Sequence, residues 1–568
     1  MIRNRMRGCW RKIRTGSARR VVPACMAVLV GACASDTDAN MSAPVPIPGP
    51  AAGGSCVPGL QVACACPDAT PGVAACLPSG LGLAPCQCGA PGGLEPVGMV
   101  PIDPNAGGAG AASEPPEPDL ASNIRIEQIA LYQAVEIALA RDGEPIIERN
   151  APVVVGKDAF VRVFVEPLAG YAAREIVGVL DLYGDDPAIE PLTVTKRIDA
   201  ASATNDLDST INFEIPGAWV TSNLRYAVAL REAGSATSVP DARDPDVRFP
   251  RDDGWVAVLG ARDAGPLRVM IVPYRYNADG SGRLPETGDA EMKEYVDRLL
   301  AFYPVQSVEL MVHEPVDYAG SIGPEAGWSS WLDFHCQQRT NENTEPTLLW
   351  YGVIQPEATY EEYMKFGGGT LGISNIPGPA GNYGRCSVGL GYSGQWLTMV
   401  HELGHALGLP HAPCGVSGGP FPYAEAKIGS WGYAQDSGSL QDPDKRYDMM
   451  SYCEPVFISD FNYEQAFERV RYLNMQFADL ENRDATFTRI VVEPNGNAAR
   501  TGLVTVRGAP GGAEDVRRVT MLDARGEPVA EVDVFHFPFG DGGGLWLVPE
   551  GTPGVAVQVE GVGPVSLQ

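Results

Sequence analysis

The chain has 568 residues, which at roughly 150 residues per domain predicts three or four domains. A hydrophobic fraction of 45% with 20% charged residues is ordinary globular composition, so wholesale disorder is excluded. With 70 acidic against 42 basic residues the net charge is −28, and a surface this acidic is repelled by phosphate backbones, which argues against nucleic acid as a partner.

The first 32 residues predict an export signal. Eight of the basic residues and none of the acidic ones occur there, and an apolar run over 21–32 follows them. This run is too short to span a bilayer but fits the core of a signal peptide. It ends in Val30-Gly31-Ala32-Cys33, which resembles the lipobox of bacterial lipoproteins, where the cysteine is acylated and becomes the new N-terminus.

Residues 1–32 are therefore interpreted as a lipoprotein-type signal peptide with Cys33 as the lipidation site. The alternative is an ordinary secretory signal with a chance cysteine near its end. Both interpretations export the chain, to the bacterial outer membrane or cell surface as a lipoprotein and otherwise as a secreted protein. The membrane would then be a partner only through the N-terminal lipid anchor.

Cysteine usage agrees with an oxidising compartment. Residues 33–120 form a tether rich in Pro and Gly that contains, besides Cys33, six of the thirteen cysteines, between positions 56 and 88. Four more lie downstream: Cys336, Cys386, Cys414 and Cys453. Both counts are even, as disulfides require, so we interpret 56–88 as a six-cysteine disulfide module of open connectivity rather than a zinc knuckle.

Strand-like segments dominate both flanks of the remaining chain. Residues 121–261 contain β-rich runs separated by Gly, Pro and Asp clusters, which predicts a β-sandwich. Residues 485–568 show the same pattern and predict a C-terminal β-domain. Between them, residues 262–484 alternate apolar strands with a segment of helical periodicity over 289–302, which indicates an α/β domain. The predicted fold class is multidomain, an α/β catalytic domain flanked by all-β, sandwich-like domains.

The chemistry is concentrated in residues 401–411, His-Glu-Leu-Gly-His-Ala-Leu-Gly-Leu-Pro-His. On a helix, His401 and His405 lie one turn apart on the same face, so their imidazoles can hold one zinc ion. Glu402 lies beside them, where its carboxylate can reach a metal-bound water. Gly408 lets the chain leave the helix through a left-handed conformation and bring His411 in as third ligand. Three protein ligands leave the open position that a catalytic zinc site needs.

The motif resembles that of the metzincin zinc metallopeptidases. A second feature of that family follows at a suitable distance, since Asp448-Met449-Met450-Ser451-Tyr452 is similar to the Met-turn, with Met450 beneath the metal ligands and Tyr452 near the metal. The combination is similar to exported bacterial metzincins that carry β-sandwich domains, some of which are lipoproteins.

The resemblance implies an exported zinc-dependent endopeptidase acting on extracellular proteins or glycoproteins, with one catalytic Zn²⁺. It implies that a zinc-activated water attacks the peptide carbonyl, that Glu402 is the general base and that Tyr452 stabilises the oxyanion. The substrate of this family runs antiparallel along an edge strand above the active-site helix, and residues 371–374 are the expected equivalent.

The resemblance also suggests the pairing of the downstream cysteines. Cys414 follows the third ligand and Cys453 follows the Met-turn, and these segments should converge beneath the zinc. We therefore expect a Cys414–Cys453 disulfide, which leaves Cys336 to pair with Cys386.

Other interpretations stay open. The chain could be a catalytically inactive surface adhesin that binds through its β-sandwich domains, although an intact Glu402 argues against this, or a zinc hydrolase acting on a non-peptide bond such as a cell-wall amide. Trp431 and Tyr433 either line a specificity pocket or belong to the core. Three remaining histidines lack ligand spacing and are interpreted as structural: His313, His335 and His536.

Overall fold

The computed structural model describes residues 61–65, 71–75, 98–101, 120–184, 189–234, 245–252, 254–323, 326–342, 344–345, 347–365, 369–379, 381, 383–476, 484–507 and 510–568. The predicted signal peptide, the lipidation site Cys33 and five of the six cysteines in 56–88 lie outside these residues. Within the six-cysteine segment, β1 (Gln61–Ala65) and β2 (Pro71–Ala75) pair antiparallel.

The N-terminal region is built from two antiparallel sheets. Its strands are β3 (Met99–Pro101), β4 (Ile124–Arg141), β5 (Glu144–Pro145), β6 (Ala159–Pro167), β7 (Arg174–Tyr183), β8 (Leu192–Ile198), β9 (Ile211–Ile215), β10 (Arg225–Glu232), β11 (Arg248–Phe249) and β12 (Trp255–Val258). One sheet has the order β3-β12-β10-β7-β8, with β11 on β10, and the other contains β4-β6-β9, with β5 on β4. The sheets approach so closely that a Cβ on Gly178 would lie 2.6 Å from Ile211.

The central region has a mostly parallel sheet between helices. Its elements are β13 (Leu267–Tyr276), α1 (Asp289–Phe302), β14 (Val308–Val312), β15 (Val316–Tyr318), α2 (Trp328–Asn341), β16 (Leu348–Ile354), α3 (Tyr360–Met364), β17 (Gly372–Ser374), β18 (Cys386–Leu390) and α4 (Trp396–Ala406). The strand order is β14-β13-β16-β18-β17, with the first four strands parallel and β17 antiparallel at the edge.

The middle strand β16 is buried on both faces because helices cover each side of the sheet. Leu349, Tyr351 and Val353 face a core shared with α4 and the N-terminal sheets, whereas Trp350 faces a core shared with α2. Successive side chains of a strand point to opposite faces of the sheet, so the continuous apolar run of β16 contributes to both cores.

The segment after α4 joins the N-terminal sheet rather than standing apart from it. It contains β19 (Gly432–Ala434), β20 (Ser439–Gln441), β21 (Tyr447–Asp448), β22 (Val456–Phe457) and α5 (Asp460–Gln476). Strand β19 pairs with β4 through Gly432 opposite Val135 and Tyr433 opposite Ala134, so the second N-terminal sheet has the order β20-β19-β4-β6-β9. The N-terminal and central regions consequently share one hydrophobic core.

The C-terminal region is a seven-stranded antiparallel sheet. Its strands are β23 (Asp484–Val492), β24 (Ala498–Arg507), β25 (Val516–Leu522), β26 (Pro528–Pro538), β27 (Gly544–Pro549), β28 (Ala556–Val559) and β29 (Gly563–Ser566), in the order β24-β23-β27-β26-β25-β28-β29. Phe487 and Phe537 pack in one core with Trp331 of α2. Arg489 pairs with Asp333 of α2 at 2.7 Å, and both side chains are less than 10% exposed. The sheet is therefore firmly docked on α2.

In the part of the chain that the structure describes, no helix combines the length and the apolar character needed to cross a membrane.

The docking ion pair gives a test of this packing. Asp333→Ala leaves the buried Arg489 guanidinium without its carboxylate, so we expect the free energy of unfolding to fall by about 3–5 kcal/mol, measured by urea denaturation. The matched control is Asp533→Ala, which removes an exposed partner of Arg518 on the same sheet and should change stability little. Equal effects of the two substitutions would contradict the docking role of Asp333.

Candidate metal centre

Helix α4 carries the first half of the site. His401, Glu402 and His405 all lie in its last two turns and are buried. The helix ends because Gly408 adopts a φ of 93°, and its amide donates to the His405 carbonyl at 2.7 Å. A Cβ at Gly408 would lie 2.5 Å from the Pro377 carbonyl oxygen, so both the backbone angle and the space require glycine.

The turn brings three imidazole nitrogens to one point. The Nε2 atom of His411 lies 3.0 Å from Nε2 of His405 and 3.2 Å from Nε2 of His401. On the far side of the rings, Nδ1 of His401 lies 2.7 Å from the Met449 carbonyl oxygen, and Nδ1 of His405 lies 2.7 Å from the Leu409 carbonyl oxygen. Carbonyl oxygens only accept hydrogen bonds, so both Nδ1 atoms carry the proton and both Nε2 atoms present lone pairs to the centre.

Burial keeps these rings neutral. It lowers the pKa of His401 to about 4, with the neighbouring His411 ring as a second cause. It also lowers the pKa of His411 to about 4 and that of His405 well below its usual value. At neutral pH all three rings are therefore neutral imidazoles with one N–H each, which is the form that binds metal.

The arrangement fits one metal ion. The Nε2 lone pairs of His401 and His405 cannot hydrogen-bond to each other. A single proton on Nε2 of His411 can be donated to only one of them. A cation at the centre would interact favourably with all three nitrogens. Nitrogens bound tetrahedrally to zinc at about 2.0–2.1 Å lie about 3.3 Å apart, close to the spacing found here. Among the described residues, these three histidines form the one group of ligating side chains close enough to hold a metal.

Glu402 faces the same centre from α4. It is 6% exposed, and its Oε2 atom has no hydrogen-bond partner among the described residues. Burial raises the pKa of Glu402 well above its usual value, and the negative charge of Asp541 raises it further. Gly372 of β17 packs against it, since a Cβ there would lie 2.7 Å from Glu402 Cγ. Glu402 therefore presents a buried carboxylate oxygen with no partner among the described residues, one position along α4 from His401.

Met450 lies beneath the ligand helix. A Cβ on Gly404 would lie 2.5 Å from its Sδ atom, so the absence of a side chain on α4 makes room for the thioether. The buried Asp448 carboxylate accepts the amide of Met450 at 2.8 Å and the Asn462 side chain at 2.6 Å, which holds the turn in place. Met449 contributes its carbonyl to His401 instead, so the two adjacent methionines have different contacts.

Two disulfides brace the surroundings of the site. Cys414–Cys453 joins the segment after His411 to the segment after Met450, with a Cα–Cα distance of 5.7 Å. Cys336–Cys386 joins α2 to β18, with a Cα–Cα distance of 5.5 Å. Both pairings expected from the resemblance are present in the structure.

The Tyr452 ring packs beside the histidine rings, and its hydroxyl is hydrogen-bonded to another residue. Its ring centroid lies 5.0 Å from that of His411 and 5.7 Å from that of His401. The side chain is 50% exposed, and its hydroxyl donates to Asp541 Oδ1. Partial burial and the Asp541 carboxylate both raise the pKa of Tyr452, so the phenol keeps its proton.

The C-terminal sheet reaches the site, which the sequence did not predict. At the end of β26, the Gly540 amide donates to the Ser374 carbonyl at 3.0 Å, and a Cβ on Gly540 would lie 2.6 Å from His405 Nε2. The only sequence signal is the glycine-rich run 540–544, and nothing in its composition connects it with a motif about 130 residues earlier.

Trp431 and Tyr433 belong to the packing of the N-terminal sheet. Both pack against the cluster that contains Tyr132 and Phe160, and the Phe160 and Tyr433 rings stack with centroids 4.3 Å apart. The structure therefore favours the core interpretation for these aromatics.

The remaining histidines lie elsewhere. Buried His335 contacts the Tyr274 hydroxyl at 2.8 Å, His536 stacks on Trp546, and His313 lies beside Glu342.

Comparisons with known proteins point to the same segment. Residues 372–488, which contain every site residue of α4, the third ligand and the Met450 turn, match the family described as Peptidase M66. Dictomallein-4 of Dictyostelium discoideum is 38% identical over 64 residues, which cover 11% of this chain and 11% of that protein. The chain thus aligns with about a tenth of that relative's length. The family match therefore covers the part of the chain that carries the three histidines and the Met450 turn.

A solved structure described as a chaperone–substrate complex is 14% identical to this chain, with a TM-score of 0.20. The match covers 48% of this chain and 41% of the other. A score this low carries no argument about fold or function.

The neutral histidines make the metal-free protein sensitive to acid. Because the pKa of His401 falls from 6.5 to about 4 on folding, the unfolded chain binds a proton that the folded chain rejects. The contribution of neutral His401 to the free energy of unfolding is fully present above about pH 6.5. It is lost as the pH falls toward about 4, and the loss for His401 alone is about 3 kcal/mol. Urea denaturation in chelator across this range should show the loss, and His401→Gln should reduce it. An unchanged pH dependence in His401→Gln would contradict the assignment.

Proposed function

We propose that the chain is an exported zinc-dependent endopeptidase of the metzincin class. The observation that carries the proposal is the convergence of three neutral imidazole nitrogens beside the partnerless carboxylate oxygen of Glu402. The match to a peptidase family over the same residues supports peptide bonds as the target. Further support comes from the antiparallel edge strand β17 beside α4 and from Met450 under Gly404.

Each residue near the centre has a distinct task in this proposal. His401, His405 and His411 would hold a zinc ion, which would supply Lewis acidity for a water and a substrate carbonyl. Glu402 accepts the proton of the attacking water at its buried carboxylate and returns it to the leaving nitrogen. Burial raises the pKa of this carboxyl, which makes Glu402 a stronger proton acceptor than an exposed carboxylate.

The substrate would bind as an extended chain along β17. This strand pairs with β18 through one edge, from Gly372 opposite Gly389 to Ser374 opposite Ser387. Its other edge offers backbone donors and acceptors beside Glu402, and an extended peptide can add to such an edge as a further strand. Tyr452 would donate a hydrogen bond to the negative charge that develops on the carbonyl oxygen.

Export is part of the proposal and is supported by the two disulfides, which need an oxidising compartment. Anchoring through Cys33 remains a prediction of the sequence.

The role of Glu402 is tested by Glu402→Gln. The three imidazoles are untouched, so zinc content by elemental analysis should match that of the parent, while cleavage of a denatured protein should fall at least about 10²–10⁴-fold. Glu190→Gln, an exposed change in the N-terminal region, is the matched control and should cleave normally. Cleavage by Glu402→Gln at the parental rate would refute the mechanism. Zinc bound by a parent that cleaves nothing would favour a binding module.

Tyr452→Phe separates stabilisation of the reacting carbonyl from metal binding. Zinc content should be unchanged, and kcat should fall about 10²–10³-fold because one oxyanion donor is lost. The control is Tyr183→Phe, which changes a tyrosine on β7 of the N-terminal region. A kcat equal to that of the parent would remove Tyr452 from the proposed machinery.

A further inference from the structure

We propose that the turn Gly540–Gly542 at the end of β26 is a displaceable internal occupant of the substrate groove, which a substrate must move aside before it reaches the metal. We call these three residues the tip. The inference rests on the proposed function, since it concerns regulation of the same site.

The backbone leading into the tip runs along the edge as an extended peptide would. The Ile376 amide donates to the Pro538 carbonyl at 2.8 Å, and the Gly540 amide donates to the Ser374 carbonyl at 3.0 Å. Asn375 and Phe539 form an antiparallel bridge between these two bonds. The C-terminal region thus continues the β17 edge toward the histidines, in the direction and with the hydrogen bonds of an added strand.

The tip also covers the open side of the three imidazoles. A Cβ on Gly540 would lie 2.6 Å from His405 Nε2 and 2.8 Å from its Cδ2 atom, so the Gly540 backbone stands directly against a predicted metal ligand. The next residue, Asp541, accepts the Tyr452 hydroxyl. A substrate carbonyl approaching the metal needs the space that the tip fills, and its own N–H would replace Gly540 in the bond to Ser374.

The tip can move while its base stays in place. Phe537 and Phe539 on one side are 0% and 3% exposed and belong to the core shared with α2. On the other side, a Cβ on Gly543 would lie 2.2 Å from the Val492 carbonyl oxygen, so that residue is closely packed. Between these anchors, Asp541 and Gly542 are exposed, and Gly542 and Gly543 have φ values of 95° and 79°.

Three features therefore coincide in the tip. It lies against a predicted metal ligand, it is held by the Gly540–Ser374 hydrogen bond and latched by the Tyr452–Asp541 hydrogen bond, and its glycines allow the backbone to change conformation at little cost. Tyr452 and Asp541 are both accessible to water, so solvent competes with the latch.

The experiment measures access to the metal independently of catalysis. The zinc-loaded full chain is mixed with excess dipicolinic acid, and zinc release is followed with time. Asp541→Ala removes the latch, and Gly542→Pro cannot adopt the φ of 95° that the closed turn requires, so both should release zinc at least about tenfold faster than the parent. Glu531→Ala, an exposed acidic residue on the same strand, is the control and should release zinc at the parental rate.

Peptide cleavage is measured on the same four proteins. In Asp541→Ala the KM for a peptide should fall severalfold and kcat should not decrease, because the substrate no longer competes with a latched tip while Tyr452 is retained. Equal zinc release from the parent and both tip variants would overturn the inference. So would an unchanged KM with a lower kcat, which would make Asp541 a positioning residue for Tyr452.

The two proposals fail in different ways. Faster zinc release from both variants, with no cleavage by any of the four proteins, would support the covering role of the tip and would count against the peptidase function.

Discussion

The site depends on one electrostatic constraint: buried imidazole lone pairs that face each other repel, and a cation between them would remove that repulsion. Backbone carbonyls create that constraint, because Leu409 and Met449 each hold the Nδ1 proton of one ring and turn its Nε2 atom inward. The carbonyls come from the turn after α4 and from the segment around Met450. Three features fix the positions of these segments relative to each other: the left-handed Gly408, the buried Asp448 and the Cys414–Cys453 disulfide.

The centre also lies where three regions of the chain meet, so its geometry is shared among them. Helix α4 packs into the core of the N-terminal sheets, and β19, which comes after His411, adds to β4 of the same region. The C-terminal sheet docks on α2 and places Gly540 against His405. A change in the docking of either flanking region would therefore alter access to the metal ligands as well as stability.

Local patterns predicted individual elements well. The apolar stripe over 289–302 predicts a helix, and α1 spans these residues, since helical spacing needs only near neighbours. The motif over 401–411 likewise predicts the convergence of His401, His405 and His411, because a helical turn and one left-handed residue determine it. The role of Trp431 and Tyr433 could not be predicted this way, since an aromatic side chain suits a pocket wall and a core equally until its neighbours are known.

By itself the sequence determined the three candidate metal ligands, the candidate proton acceptor Glu402 and the helix and turn that carry them, because these features depend on spacing within eleven residues. Only the tertiary structure decided which carbonyls orient the rings, that Tyr452 donates to Asp541 and that Gly540 packs on His405. Those contacts join residues separated by up to about 130 positions. Such pairs meet through the packing of whole sheets and helices, and composition or periodicity in one segment carries no information about a partner in another.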